Sequence, residues 1–235
     1  MSSVIAFTAC GGEPEEHVNY DYFRFTYDES LQGLVLEIEN KSKLPSGAIT
    51  LPAYSYYYAN GSEEETDHEK FMPVRKIADG AFEYIGTLTT VVIPTSYTEL
   101  GAGAFANCKN LTSVTLSPNI EVISDNAFDG CLALTSVLDD NSDTIIAGVK
   151  EIGDNAFASC MSLRELDFTY EEDFTVGDRA FFYAITLRSY DVRNASYVGA
   201  NAFEGWQSTQ TVNYDSASGW SDDWNANSDA EFKKV

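Results

Sequence analysis

The chain has 235 residues, and its 37 acidic against 14 basic side chains give a formal net charge of -23. A surface that negative repels phosphate backbones and anionic lipid head groups, which argues against nucleic-acid binding. With 44% hydrophobic and 13% aromatic residues, the composition suits a chain with a buried interior and not a disordered one.

Taken in chain order, residues 1–9 are a short apolar start and residues 10–19 a polar stretch. No apolar run reaches the roughly 20 residues that carry a helix across a bilayer. The string Phe7-Thr8-Ala9-Cys10 resembles the lipobox of bacterial lipoproteins. That resemblance implies cleavage before Cys10, acylation of its thiol, and a tether in Gly11-Gly12-Glu13-Pro14-Glu15-Glu16. A secretory signal also carries a basic segment ahead of a longer apolar one. No Lys or Arg precedes Cys10, so a plain N-terminal tail stands beside the lipidation reading.

Residues 20–72 read as a β-rich N-terminal cap. Phe23–Tyr27 and Leu34–Ile38 alternate like strands, with Ser30-Leu31-Gln32-Gly33 as the turn between them. Ala48-Ile49-Thr50-Leu51-Pro52 has the look of a further strand, and it resembles Val91-Val92-Ile93-Pro94 in the repeats that follow. It is therefore read as a degenerate first coil. A long insertion then carries Tyr54, Tyr56, Tyr57 and Tyr58 and the acidic run 62–69. Tyrosine combines contact area with a hydroxyl and suits either an interface, a sugar ring or the packing of a cap.

Residues 73–215 are periodic. An aliphatic residue, three mostly small or polar residues and Ala-Phe recur six times, ending at Phe82, Phe105, Phe128, Phe157, Phe181 and Phe203, with spacings of 23, 23, 29, 24 and 22. Three residues after each Phe stand Ile85, Cys108, Cys131, Cys160, Ala184 and Trp206. Three further on stand Leu88, Leu111, Leu134, Leu163, Leu187 and, out of pattern, Thr209. A short alternating run follows, such as Val91/Ile93 or Val114/Leu116, which is a strand signal. One coil cannot bury its own Leu, Val and Phe, but stacked coils lay identical positions over one another. The pattern thus predicts a solenoid with a column of Phe rings, a column of thiols at Cys108, Cys131 and Cys160, and one strand per repeat joined into a parallel sheet. The Gly or Asp that often precedes Ala-Phe suits a turn.

The string Glu151-Ile152-Gly153-Asp154-Asn155-Ala156-Phe157-Ala158-Ser159-Cys160-Met161-Ser162-Leu163 is similar to the BspA-type leucine-rich repeat, also described from treponemal surface proteins. The resemblance implies a leucine-rich-repeat solenoid with a parallel β-sheet on the concave face and short turns or helical segments on the convex side. It further implies a bacterial cell-surface, outer-membrane or secreted protein, without enzymatic activity, that serves adhesion by binding protein. A carbohydrate-binding surface lipoprotein and a structural spacer are the other two readings. No cofactor is called for, and a membrane is met only through a lipid anchor.

Residues 216–235 close the array, with Trp220 and Trp224 placed to cover the last coil. The three thiols in register lack a histidine and the close spacing of zinc motifs, and they read as core. The two histidines, His17 and His68, have no positioned nucleophile beside them. Asp139, Asn141 and Asp143 alternate as in a calcium loop, but Thr144 and Lys150 stand where its Gly and bidentate Glu belong. The strand register places Thr90, Val92, Ser113, Thr115, Ser117, Ser136 and Leu138 outward in the first half. In the second half it places Glu165, Asp167, Thr169, Ser189, Asp191, Arg193, Thr211, Asn213 and Asp215 there. The candidate binding residues are Tyr54, Tyr56, Tyr57, Tyr58, Thr115, Glu165, Asp167, Asp191, Arg193 and Asn213.

Overall fold

The computed structural model describes residues 22–58, 69–139, 145–169, 174–215 and 219–235. The chain enters through an antiparallel hairpin of β1 (Phe23–Asp28) and β2 (Gly33–Ile38), paired from Phe23↔Ile38 to Asp28↔Gly33. Its turn is fixed by the Asp28 carboxylate, which accepts from the backbone amides of Ser30 at 2.8 Å and Leu31 at 3.2 Å, the local bonding for which Asp is favoured in turns. Next come β3 (Gly47–Thr50), β4 (Tyr54–Tyr58) and β5 (Glu69–Ile77). The tyrosine run is thus one arm of a second antiparallel hairpin, β4 with β5, while β3 pairs in parallel with a strand of the first full repeat, Leu88–Val92.

From Ile77 onward each coil contributes two strand segments where the sequence pattern indicated one. The first precedes Ala-Phe: β7 (Glu99–Leu100), β9 (Val122–Ile123), β12 (Glu151–Ile152), β14 (Phe174–Val176) and β16 (Ala195–Val198). These join β2 and β5 in an unbroken sheet ordered β1-β2-β5-β7-β9-β12-β14-β16. At two to four residues they are too short for a visible alternation, so the sequence hid them. The second segment is the anticipated one: β6 (Leu88–Val92), β8 (Ser113–Thr115), β10 (Ser136–Leu138), β13 (Asp167–Thr169), β15 (Ser189–Asp191) and β17 (Thr211–Tyr214). Inside the long third coil β11 (Ile145–Ala147) pairs with β13. The tail adds β18 (Glu231–Lys234), parallel to β17; its Glu-Phe-Lys-Lys composition gave no strand signal.

Between the two strand segments of each coil the chain makes turns, and the one helical element among the described residues is the short 3-10 turn Lys41–Lys43. The Ala-Phe turns stack by main-chain bonds: the amides of Phe82, Phe105, Phe128, Phe157 and Phe181 donate to the carbonyls of Ala104, Ala127, Ala156, Ala180 and Ala202 at 2.8–2.9 Å. Two residues before each Phe the backbone is left-handed, at Gly80, Gly103, Asn126, Asn155, Arg179 and Asn201 (φ 54–61°). Gly and Asn hold most of these positions, as that conformation favours. The glycines nearer the strand, such as Gly153 and Gly177, do not have positive φ; they serve space and not turn geometry, which corrects the expectation above.

The core is one column. The six Phe rings are fully buried and stack with centroid separations of 5.0, 5.4, 5.2, 5.7 and 5.8 Å and interplanar angles of 3–15°. Its ends are closed edge-on, an arrangement favoured by the ring quadrupole: Phe23 meets Phe82 at one end, and Trp206 and Trp224 meet Phe203 at the other. Trp220 is also buried, at 7% exposure.

Cys108, Cys131 and Cys160 are free, fully buried and in register. Their Sγ atoms donate to the carbonyls of Phe82, Phe105 and Phe128 in the preceding coil, at 3.0, 3.1 and 3.3 Å. Trp206 occupies the same repeat position, and its Nε1 donates to the Phe181 carbonyl at 3.0 Å. The thiols therefore satisfy a buried carbonyl as well as fill space. Burial pushes the Cys108 thiol up to about 11 and raises Cys131 and Cys160 well above the usual thiol range. Since the thiolate is the reactive form, these groups stay protonated and unreactive near neutral pH. In a Cys10→Ala variant a thiol reagent should label nothing in the folded protein and all three positions after denaturation. Fast labelling without denaturant would show that the thiols do not lie inside the column.

Candidate functional site

The second strand ladder builds the outward polar face. In-register rows run Ala48, Thr90, Ser113, Ser136 and, by a single bridge, Glu165. A second row runs Thr50, Val92, Thr115, Leu138. From the fifth coil on, one row runs Ser189, Thr211, Glu231 and another Asp191, Asn213, Lys233. Between the rows the inward positions Val91, Val114, Val137, Leu166, Tyr190 and Val212 are buried. Ser117 is a correction: it is fully buried and its hydroxyl donates to the Tyr97 carbonyl at 2.9 Å. The alternation ends at Leu116, and the chain turns inward toward Pro118 before Ser117 can face out.

Thr115, Asp191 and Asn213 are half-buried on this face, and Glu165 and Arg193 are exposed. The Arg193 guanidinium is committed: its Nε donates to both Asp191 carboxylate oxygens, at 3.0 and 2.8 Å. Tyr54 stands apart on the β4–β5 hairpin, 51% exposed and stacked on Phe71 at 5.2 Å. The side chains of Tyr56, Tyr57, Tyr58 and Asp167, along with Cys10, most of the Asp139–Asp143 loop and both histidines, lie outside the described residues.

The ladder is not continuous. Amide-to-carbonyl rungs pass from Thr112 to Thr89, from Thr135 to Thr112 and from Arg164 to Thr135, and resume with Thr211 to Arg188. Among the described residues no strand pairing joins β13 to β15. The other sheet and the Ala-Phe ladder pass this point unbroken, so the two coils part on one face only. A depression of about 330 Å³ lies at the parting, with Arg164, Glu165 and Leu166 on one side and Arg188, Ser189, Tyr190 and Asp191 on the other, and Asn213 at its edge. Three residues proposed from the outward register, Glu165, Asp191 and Asn213, thus converge here, while Thr115 and Tyr54 do not line it.

Sequence reasoning missed Arg164 and Arg188. Seven residues after the Phe, the first three coils carry Thr89, Thr112 and Thr135, and the fourth and fifth carry Arg164 and Arg188. Thr112 and Thr135 use their hydroxyls to bond the preceding coil, at 2.8 and 2.9 Å. Arg does not reproduce that bond, and the inward slot held by Val or Leu in the earlier coils becomes the larger Tyr190, tilted against Phe181 at 4.3 Å. The departure from the repeat was the available signal.

The family model for the BspA type leucine rich repeat region matches in six copies, over residues 40–147 and 75–210. Among solved structures, a T. pallidum leucine rich repeat protein is similar over 94% of this chain and 100% of its own, with TM-score 0.57 and 19% identity. A leucine rich cell surface protein from Faecalibacterium prausnitzii is similar over 88% of this chain and 56% of its own, with TM-score 0.54 and 24% identity. A Bacteroides capillosus leucine-rich repeat protein is 27% identical over 66% of this chain and 100% of its own, with TM-score 0.50. No curated protein matches.

Proposed function

Because the chain belongs to the BspA-type leucine-rich-repeat family, we propose that it is a non-enzymatic cell-surface or secreted interaction protein that serves adhesion by binding a partner protein on its outward strand face. Leucine-rich-repeat families are generally scaffolds for protein interactions, and fold alone is a weak warrant for anything finer. The observation that carries the reading is the outward face itself: polar side chains held in register by a stacked core, hence preorganised before any partner arrives. Preorganisation lowers the entropy cost of association. A solved protein of like fold carries "cell surface" in its name, which favours that address for this one.

Anchoring through Cys10 completes the proposal. Two acyl chains suffice for stable attachment, at about 0.8 kcal/mol per buried methylene. The tether then holds the acidic body of a chain whose net charge is -23 away from anionic head groups. A second reading, glycan binding, is favoured by the exposed Tyr54–Phe71 stack, a platform suited to a sugar ring.

One experiment tests the proposal. Bacteria expressing the full chain from its native start should adhere to surfaces coated with host extracellular-matrix proteins. Cells carrying Cys10→Ala should lose adherence and release a protein that still binds the coated surface. Unchanged fractionation of the Cys10→Ala protein would remove the anchor. Binding to a glycan array with none to matrix proteins would favour the second reading, and failure of both with an intact fold would leave a spacer.

A further inference from the structure

The fourth and fifth coils present two cations that no side chain among the described residues neutralises. Arg164 and Arg188 are exposed and line the depression, and their guanidiniums have no hydrogen-bond or ion-pair partner among the described residues. The chain has 37 acidic residues for 14 basic ones, and other guanidiniums find a carboxylate: Arg24 pairs with Glu37, Arg179 with Glu204 and Arg193 with Asp191. Arg164 and Arg188 also hold the same repeat position on successive coils and line one depression, and like charges brought close together repel. An oxyanion between them would relieve that repulsion, and guanidinium geometry matches a carboxylate in bidentate fashion.

Two further features narrow the ligand. The Glu165 carboxylate, on the same wall, also has no partner among the described residues, so the site offers one acceptor for a cation beside two donors for an anion. Four residues after the Phe, Leu132, Met161 and Ile185 stand 39%, 42% and 41% exposed on three consecutive coils. Their coils are tied in register there, since Ser162 donates to the Leu132 carbonyl and Thr186 to the Met161 carbonyl. This apolar row ends three residues short of each arginine in sequence. A polyacidic ligand would be repelled by the whole molecule's charge, whereas a single carboxylate accompanied by a cation would not.

We propose that the opening between the fourth and fifth coils is the docking site for a partner-protein segment that carries an apolar residue, one carboxylate and a neighbouring cation. Arg164 and Arg188 grip the carboxylate, Glu165 receives the cation, and the Leu132–Met161–Ile185 row takes the apolar side chain. This deepens the protein-binding reading above and rests on it.

The test follows the side-chain Nε–H signals of the six arginines by NMR in the full chain. Acetyl-Leu-Glu-Lys-amide is titrated in one arm, acetyl-Leu-Gln-Lys-amide in a second and sodium glucuronate in a third. The Glu peptide should move Arg164 and Arg188 saturably and leave Arg24 and Arg179 in place; the Gln peptide and glucuronate should not. The double variant Arg164→Gln/Arg188→Gln should melt no lower than the parent, since it removes a repulsion, and weaken the peptide at least tenfold, read from the Ser189 and Asn213 amides. Absent or unsaturable shifts, equal response to the Gln peptide, or equal movement at Arg24 overturns the site. Saturation by glucuronate overturns the peptide assignment and marks an acidic sugar instead. Should matrix binding persist while the peptide moves nothing, the site falls and the function stands; the opposite pattern removes the adhesion reading and leaves the site.

Discussion

Phe128→Ala is expected to lower stability by about 3–5 kcal/mol, the range for emptying a fully buried aromatic position. The ring is 0% exposed and lies between Phe105 and Phe157, at 5.4 and 5.2 Å. Its removal takes two stacking contacts and leaves a void in the middle of the column. Repeat arrays hold together through nearest-neighbour terms, so a central break weakens the coils on both sides. Phe203→Ala should behave differently, because the last coil and its cap can open while the coils before it remain folded. The three tryptophans of the chain, Trp206, Trp220 and Trp224, all stand at that end, which separates the outcomes. In urea melts of Phe203→Ala, tryptophan fluorescence should change at lower denaturant than far-UV circular dichroism. In Phe128→Ala both signals should shift down. Small, equal losses in the two variants would contradict a continuous Phe column.

The column was legible because the six Phe recur at near-constant spacing, and stacking is the one arrangement that buries all of them. The hairpin at Phe23–Ile38 was legible for a similar reason, its two alternating runs flanking a Gly-containing turn. The short strands that precede Ala-Phe were not: pairs such as Glu99–Leu100 and Glu151–Ile152 are held by their neighbours and carry no alternation of their own. Nor was β18, where Phe232 alone among Glu231, Lys233 and Lys234 faces the cap, packed on Trp224 at 5.0 Å. At the site, the outward register picked Glu165, Asp191 and Asn213, since side-chain direction follows from alternation. It did not show that coils four and five part there. That depends on an absent rung, which a pattern of present residues does not report; the exchange of Thr for Arg164 and Arg188 is its trace.

Gly177→Ala is expected to cost about 1–3 kcal/mol, the range for forcing an extra carbon into a filled interior. A Cβ on Gly177 would lie 2.5 Å from Asp154 Oδ1 and 2.6 Å from the Asp154 backbone nitrogen. That carboxylate is in use, accepting from the Asp178 amide at 2.7 Å. The same arrangement recurs along the solenoid: Asp79 precedes Gly101, Asp125 precedes Gly153, and Asp178 precedes Gly199, each carboxylate beside the glycine of the next coil. The exception supports the rule. Where the second coil has Ala102 instead of Asp, the third has Ser124 instead of Gly. There the amide reaches the preceding coil at 3.2 Å, from Ser124 to Leu100, against 2.8 Å from Gly177 to Ile152. A side chain at this position therefore spreads the coils by a few tenths of an ångström, and the missing carboxylate gives it room. It follows that Asp154→Ala, which removes one hydrogen bond at about 1 kcal/mol, should partly relieve Gly177→Ala. The double variant should be more stable than the sum of the single losses predicts, by at least the ~0.5 kcal/mol that marks coupled neighbours. Strict additivity in denaturant melts would mean that the glycine answers only to the backbone of the preceding coil and that the Asp–Gly pairing is incidental.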